Sequence, residues 1–363
     1  LILPADVSWT EGAQTAAPWA PPPLVPAAPS AIDAAAEAVA AGEQTMLLLG
    51  GRALSAAGLE AASRVAAATG ARVLAETFPA RMEGGAGVPA TRRLAYLAEQ
   101  AEQQLGGVRT LVLAGAVSPV SFFAYPGRGS DLVPDGCEVV LLAEAGQDVE
   151  AALIALADRV AADTAAEPAA YGPPAPEPGP LSLANLPAAI ASTLPDGAIV
   201  VDEANTSGLG LPTALARAAR HTLLTLTGGA IGQGMPVATG AAIAAPDRPV
   251  LNLEADGSAL YTIQALWTQA RERLNVTTVL LNNSAYAILR MELARTGAGD
   301  IPGAASARML DLSDPTPDFV HLATGLGVSA SRATTAAELV DQLTHAYREP
   351  GPHLIEAIVP PLL

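Results

Sequence analysis

Two short clusters of oxygen-bearing residues follow apolar runs in this chain of 363 residues. Val250–Glu254 leads into Ala255-Asp256-Gly257-Ser258, and Val276–Leu281 leads into Asn282-Asn283-Ser284-Ala285-Tyr286. Each alone reads as a turn with a cap. Gly257 permits a tight turn, and Ser258 stands where a helix N-terminus offers free N–H groups to an anion. The pair says more. Asn283 follows Asp256 by 27 residues, close to one βαβ unit of roughly 30 residues. Both tips then share one sheet edge, one strand apart. A carboxylate, an amide oxygen and a nearby backbone carbonyl form a hard, oxygen-only set, of the kind Mg²⁺ uses when diphosphate and water complete its octahedron.

Composition narrows the chemistry further. All 19 basic residues are Arg. Without Lys there is no Schiff base, no pyridoxal phosphate catalysis and no phosphate-loop lysine. Any phosphate must be held by Arg, a metal, hydroxyls or backbone N–H groups. One cysteine, Cys137, precedes an apolar run and reads as a buried strand residue. One Cys and four scattered His (His221, His321, His345, His353) exclude a Cys/His zinc site. A net charge of −17 and a pI near 4.5 exclude a basic nucleic-acid face and disfavour an anionic membrane. Mean hydropathy is +0.33, yet no apolar run reaches the roughly 18 residues that span a bilayer.

The elements that must position these clusters alternate along the chain. Leu1-Ile2-Leu3-Pro4 reads as a strand entering a loop, with no basic segment of a secretory signal. Prolines 18, 21, 22, 23, 26 and 29 then favour extended polyproline II. From Ser30, read as an N-cap, a helix is expected to about Ala41. Strands are expected at Thr45–Leu49, Ala71–Ala75, Thr110–Ala114 and Glu138–Ala143, buried on both faces, with helices near 54–69, 91–105 and 148–162. After a second Pro-rich stretch, strands are expected at Ala198–Val201, Thr222–Leu226, Val250–Glu254, Val276–Leu281 and His353–Ile358. Helices are expected at 183–194, 207–219, 232–244, 258–273, 316–325 and 335–347. This predicts an α/β chain of two doubly wound, open parallel-sheet domains. The expected boundaries are 1–29 for the end of a preceding domain and a Pro-rich linker, 30–162 for a central domain, 163–181 for a linker and 182–363 for the domain carrying both clusters.

Asp256-Gly257-Ser258 with Asn282-Asn283 resembles the signature of thiamine diphosphate-dependent enzymes. Asp202-Glu203-Ala204-Asn205-Thr206-Ser207-Gly208 resembles their diphosphate-binding segment, and Thr227-Gly228-Gly229-Ala230-Ile231-Gly232-Gln233-Gly234-Met235-Pro236 the segment that grips the aminopyrimidine. Asn283 through Arg290, Leu113 through Ala116 and Phe122 through Gly127 resemble acetolactate synthase-like and benzoylformate decarboxylase-like members. The resemblance covers the central and diphosphate-binding domains. It implies Mg²⁺ on Asp256, Asn283 and the Ala285 carbonyl, and diphosphate on Asn205, Thr206, Gly257, Ser258 and the Tyr286 backbone. It implies the pyrimidine on Gly229 and Ile231, with the Ile231 side chain bending the cofactor, and a substrate pocket lined by Ile288 and Leu289. Ala255 replaces the first Gly of the metal motif, a mild change. Phe122 or Phe123 stands where some benzoylformate decarboxylases carry a pocket histidine. Arg81 through Gly87 is Gly-rich but lacks the Gly-Met-His-Gly element of flavin-containing relatives, so FAD is left open and not favoured. Gly50-Gly51-Arg52 reads as a plain turn or a nucleotide contact. The family's activating glutamate belongs to an N-terminal pyrimidine-binding domain, and no residue here matches it. Glu203 and Glu254 read as capping or solvated.

The expected activity is Mg²⁺- and thiamine diphosphate-dependent decarboxylation or carboligation of a 2-oxo acid, acetolactate synthase-like, with this chain inactive alone. The expected setting is a cytoplasmic homodimer or homotetramer that needs the N-terminal domain, in cis or in trans, and no nucleic acid or membrane. A non-catalytic cofactor-binding partner subunit or fragment is the alternative. A nicotinamide or flavin oxidoreductase is disfavoured, because no strand leads into Gly-x-Gly-x-x-Gly.

Overall fold

A computed structural model describes residues 2–125, 127–297 and 303–361. Its strands are β1 (Thr45–Leu49), β2 (Arg72–Ala75), β3 (Met82–Gly84), β4 (Thr110–Ala114), β5 (Glu138–Ala143), β6 (Ala198–Glu203), β7 (His221–Thr225), β8 (Val250–Ala255), β9 (Val276–Asn282), β10 (Ser329–Ala333) and β11 (His353–Ile358). They form a parallel four-stranded sheet, β2-β1-β4-β5, and a seven-stranded sheet, β10-β11-β9-β8-β6-β7-β3. The fold class is the expected α/β with parallel sheets and helices over their faces.

Apolar runs buried on both sides make the central strands. β1 and β9 are buried at every residue. Helix Ala56–Thr69 packs its Leu59, Ala62 and Val65 against one face of the first sheet. It is capped by Ser55, whose hydroxyl accepts from the Gly58 N–H at 3.0 Å, and ends on Gly70 in the left-handed region. Helix Ala336–Ala346 starts with a full capping box of Thr335 and Glu338 and buries Leu339 and Leu343 under the second sheet.

Several local expectations are corrected. The helix after the first Pro-rich stretch runs Pro29–Val39, with proline in its first turn and no side-chain cap, so Ser30 lies inside it. Residues 2–4 form no strand, and a short helix follows at Ala5–Trp9. Cys137 is half-buried and precedes β5. β5 is a sheet edge whose first residues face solvent, so it is not sealed on both faces. The helix expected at 207–219 is a short 3₁₀ turn, Asn205–Gly208, followed by Leu211–Leu215.

β3 was not anticipated. It lies between β2 and β4 in the chain yet pairs antiparallel with β7, Met82 opposite Leu223 and Gly84 opposite His221. The Glu83 carboxylate accepts from the Thr222 hydroxyl at 3.0 Å. Gly85, at φ 84°, passes so close to the second sheet that a Cβ there would lie 2.3 Å from the Ala219 carbonyl oxygen. The Gly-rich stretch 81–87 therefore serves as a sheet edge.

Candidate functional site

In the second sheet the chain leaves β6 towards β7 on one side and returns to β8 on the other. Ligands of open parallel sheets bind at such a reversal, beyond the carboxyl ends of the strands. The sequence clusters meet there. Asp256 begins the helix after β8 and is 2% exposed. Its Oδ1 accepts from the Gly257 N–H at 2.8 Å, and its Oδ2 from Asn283 N–H at 3.1 Å and Ser284 N–H at 2.7 Å. Asn283 donates from Nδ2 to Ser207 Oγ at 3.2 Å and accepts from Ala285 N–H at 3.0 Å. Asn205 donates from Nδ2 to Ser258 Oγ at 2.9 Å. Three strand ends are thus tied in one knot. Among the described residues three non-glycine residues have positive φ, and two of them, Asn205 (48°) and Ser284 (54°), stand in this knot. Backbone strain of this kind gathers at functional sites.

Burial pushes the Asp256 carboxyl up to about 6, outweighing the backbone N–H groups that hold it, and no cation is among the groups that shift it. A buried carboxylate in an oxygen-only neighbourhood fits a divalent cation. Among the described residues no three His, Cys, Asp or Glu side chains gather to bind a metal. A cation here would use one carboxylate, amide and carbonyl oxygens, and oxygens from its ligand, which suits Mg²⁺. Gly257 is required by its neighbour, since a Cβ would lie 2.5 Å from Tyr286 Cε1.

The turn after β7 holds Gly228, Gly229 and Gly232, at φ 66°, 68° and 87°. Ile231 stands on it 41% exposed, outside the apolar clusters. Glu203 and Glu254 lie beneath the turn and are both buried, which corrects the solvated reading. They are register partners on β6 and β8. Glu203 accepts from the N–H groups of Gly232 and Gly234. Glu254 accepts from Asn252 Nδ2 at 3.1 Å, while its Oε1 has no partner. Burial first, and the Glu203 charge second, hold its carboxyl well above the usual range.

Ile288 and Leu289 open the helix Ala287–Arg295; Ile288 is half-buried and Leu289 is 47% exposed. That helix meets an aromatic cluster which sequence reasoning did not assemble. Phe78, Tyr96, Phe122, Phe123 and Tyr125 stack with centroid distances of 5.2–6.5 Å. Phe78 would lie 3.6 Å from a Cβ on Gly229. Tyr125 donates to Glu292 at 3.0 Å, and Arg295 makes two 2.9 Å bonds to Glu99. The sequence signal is Phe122 through Tyr125; Phe78 and Tyr96 are distant in the chain. Gly50 lets two strand ends touch, since a Cβ there would be 2.8 Å from the Ala116 Cα and the Gly115 carbonyl oxygen.

Residues 208–357 match the family described as thiamine pyrophosphate enzyme, C-terminal TPP binding domain. Across all 363 residues the chain is 56% identical to a Mycobacterium tuberculosis protein named "Putative acetolactate synthase large subunit IlvX", covering 70% of it. The chain belongs to the thiamine pyrophosphate enzymes. Among relatives in that family, benzoylformate decarboxylase of Pseudomonas aeruginosa is 39% identical over 128 residues, which are 35% of this chain and 23% of the relative. The structure of a Rhodococcus jostii thiamine diphosphate-dependent 4-hydroxybenzoylformate decarboxylase superposes with a TM-score of 0.76 at 26% identity, over 98% of this chain and 68% of that one. This thiamine pyrophosphate enzyme chain thus spans about two thirds of the length of the Mycobacterium tuberculosis relative and of the Rhodococcus jostii structure. No described helix is long and apolar enough to cross a membrane.

Proposed function

We propose that this chain forms the Mg²⁺- and diphosphate-binding part of an acetolactate synthase-like enzyme that decarboxylates a 2-oxo acid, with or without carboligation to a second carbonyl. The observation that carries the reading is the knot of Asp256, Asn283, Asn205 and Ser258 at the sheet reversal. When bound, the thiazolium ring of thiamine diphosphate supplies the electron sink for loss of CO₂. Asp256, Asn283 and the Ala285 carbonyl would hold Mg²⁺. Asn205, Thr206, Gly257, Ser258 and the Tyr286 backbone would hold the diphosphate, which no lysine is present to neutralise. Gly229 and Ile231 would receive the pyrimidine ring, and the stiff, branched Ile231 side chain would keep the cofactor bent. Ile288 and Leu289 would line the substrate pocket, beside the aromatic cluster.

Glu203 is engaged with the backbone of the turn and Glu254 with Asn252 through one oxygen, and no residue here matches the family's activating glutamate. The carboxylate that activates the pyrimidine is therefore assigned to a pyrimidine-binding domain beyond residues 1–363. Residues 30–162 and 182–363 then act as the central and diphosphate-binding domains. Tyr261 packs on the turn at Gly232, and Leu260, Tyr261 and Trp267 are exposed nearby, a surface suited to a second copy in a homodimer or homotetramer. CO₂ release from pyruvate and benzoylformate, with Mg²⁺ and cofactor, tests the reading. None is expected from this chain alone, and release should appear when a pyrimidine-binding domain is supplied in cis or in trans. Cofactor binding without release under either condition would favour a non-catalytic partner subunit.

A further inference from the structure

The turn between β7 and the helix Gly234–Ala244 must keep one shape with little help from its own backbone. Three of its glycines occupy left-handed conformations, which glycine enters and leaves freely. Ile231 is too exposed for packing to fix it. Side chains hold the turn instead: the Thr262 hydroxyl donates to the Gly232 carbonyl at 2.9 Å, and two further side chains fasten it from either side. Glu203, at the end of β6, accepts from Gly232 N–H and Gly234 N–H. Gln233 folds back on the turn, donating from Nε2 to the carbonyls of Thr227 at 3.1 Å and Ala230 at 3.0 Å, while its Oε1 accepts from Thr227 Oγ1 at 2.9 Å. One ties the exit of the turn to the sheet; the other closes the turn on itself. Gly229 and Ile231 lie between the tied points.

We propose that Glu203 and Gln233 are positioning residues that hold Gly229 and Ile231 in place for the aminopyrimidine ring, and leave the diphosphate to the Asp256–Asn283 knot. This rests on the cofactor reading above. A carboxylate suits position 203, because it offers two acceptor oxygens to two N–H donors. An amide offers one oxygen and sets its own N–H₂ against the second donor. Glu254 is not drawn on for this: its Oε2 accepts from Asn252 and its Oε1 has no partner. Gly234 leaves the two acids no slack: a Cβ there would lie 2.3 Å from Glu254 Oε2 and 2.8 Å from Glu203 Oε2.

The test is calorimetric titration of the 363-residue chain with Mg²⁺ and thiamine diphosphate, and separately with Mg²⁺ and inorganic diphosphate, which lacks the rings. Glu203→Gln and Gln233→Ala perturb the turn from independent sides. Each is expected to weaken thiamine diphosphate by about tenfold or more while inorganic diphosphate stays within about twofold. An equal loss for both probes would overturn the proposal and assign the two residues to the fold or the anchor. Unchanged affinity for both probes would also overturn it. A wild-type chain that binds neither probe would instead overturn the cofactor reading itself.

Discussion

In the metal-free protein Asp256 is a buried charge with no counter-cation, so the cost of removing it should depend on pH. Its carboxyl rises from 3.8 to about 6 on folding, chiefly through burial. The folded state therefore holds a proton that the unfolded chain releases. The stability from that proton is fully present below the unfolded value and is lost as pH rises through the folded one. A shift of about two units corresponds to about 3 kcal/mol in all. Of this, about 1 kcal/mol falls between pH 5 and pH 7.5 by the linkage relation. Asp256→Ala abolishes that pH-dependent part. It also leaves the N–H groups of Gly257, Asn283 and Ser284 without their acceptor at every pH, at about 1–3 kcal/mol each. The variant should be less stable throughout, and its deficit should be larger at pH 5 than at pH 7.5 by about 1 kcal/mol. Urea unfolding of both proteins in chelator, at both pH values, measures this difference. A deficit that is the same at both pH values, or larger at pH 7.5, would refute the burial argument. Adding Mg²⁺ and thiamine diphosphate at pH 7.5 should then stabilise the wild type and not the variant.

Asp256→Ala should lose thiamine diphosphate on gel filtration with Mg²⁺, and Asn283→Ala should lose it less completely, since water can replace a neutral ligand; equal retention in wild type and Asp256→Ala would remove the metal assignment. Ile231→Ala in the complete enzyme should slow turnover at saturating cofactor with diphosphate binding near normal, and a wild-type rate would show that its side chain does not shape the cofactor. Arg295→Ala breaks the bonds to Glu99, Glu292 and Tyr125 and should lower stability by about 1–2 kcal/mol, discounted for the part-exposed Glu99. Urea unfolding at low and high salt checks it, with the smaller loss expected at high salt.

Strands sealed inside the sheets were legible in the sequence. β1, β4 and β11 have the expected limits, because a run as short as Met46-Leu47-Leu48-Leu49 between turn residues fits a buried strand and is too brief for a buried helix. β3 and β10 were not legible. Both are sheet edges of mixed composition, Met-Glu-Gly and Ser-Ala-Ser-Arg-Ala, and their pairing is set by what they lie against. The Asp256–Asn283 knot was readable as a spacing, because one βαβ step has a fixed length. The burial of Glu203 and Glu254 was not, since an acid at a strand end is ordinarily solvated and only the folded turn shows which N–H groups it receives. The aromatic cluster escaped for a related reason. Its rings are brought together from residues 78 to 125, and no local pattern announces that they meet Gly229.

The placement of β3 also bears on how the chain is made. Its partner β7 follows about 139 residues later, the separation of Glu83 and Thr222. At about 5–20 residues per second of synthesis, the short strand must wait on the order of ten seconds before the edge it completes exists. During that interval the first sheet can fold around β1 and β4, while Met82–Gly84 projects unpaired. Three residues with a central charge are a poor template for pairing with another chain, so the wait is tolerable. β7 would be less well protected on a fragment starting within the Pro-rich stretch at 163–181, for it would carry one bare hydrogen-bonding edge. The second sheet is thus completed by a segment translated before its own first strand, and cutting the chain within 163–181 would leave it unfinished.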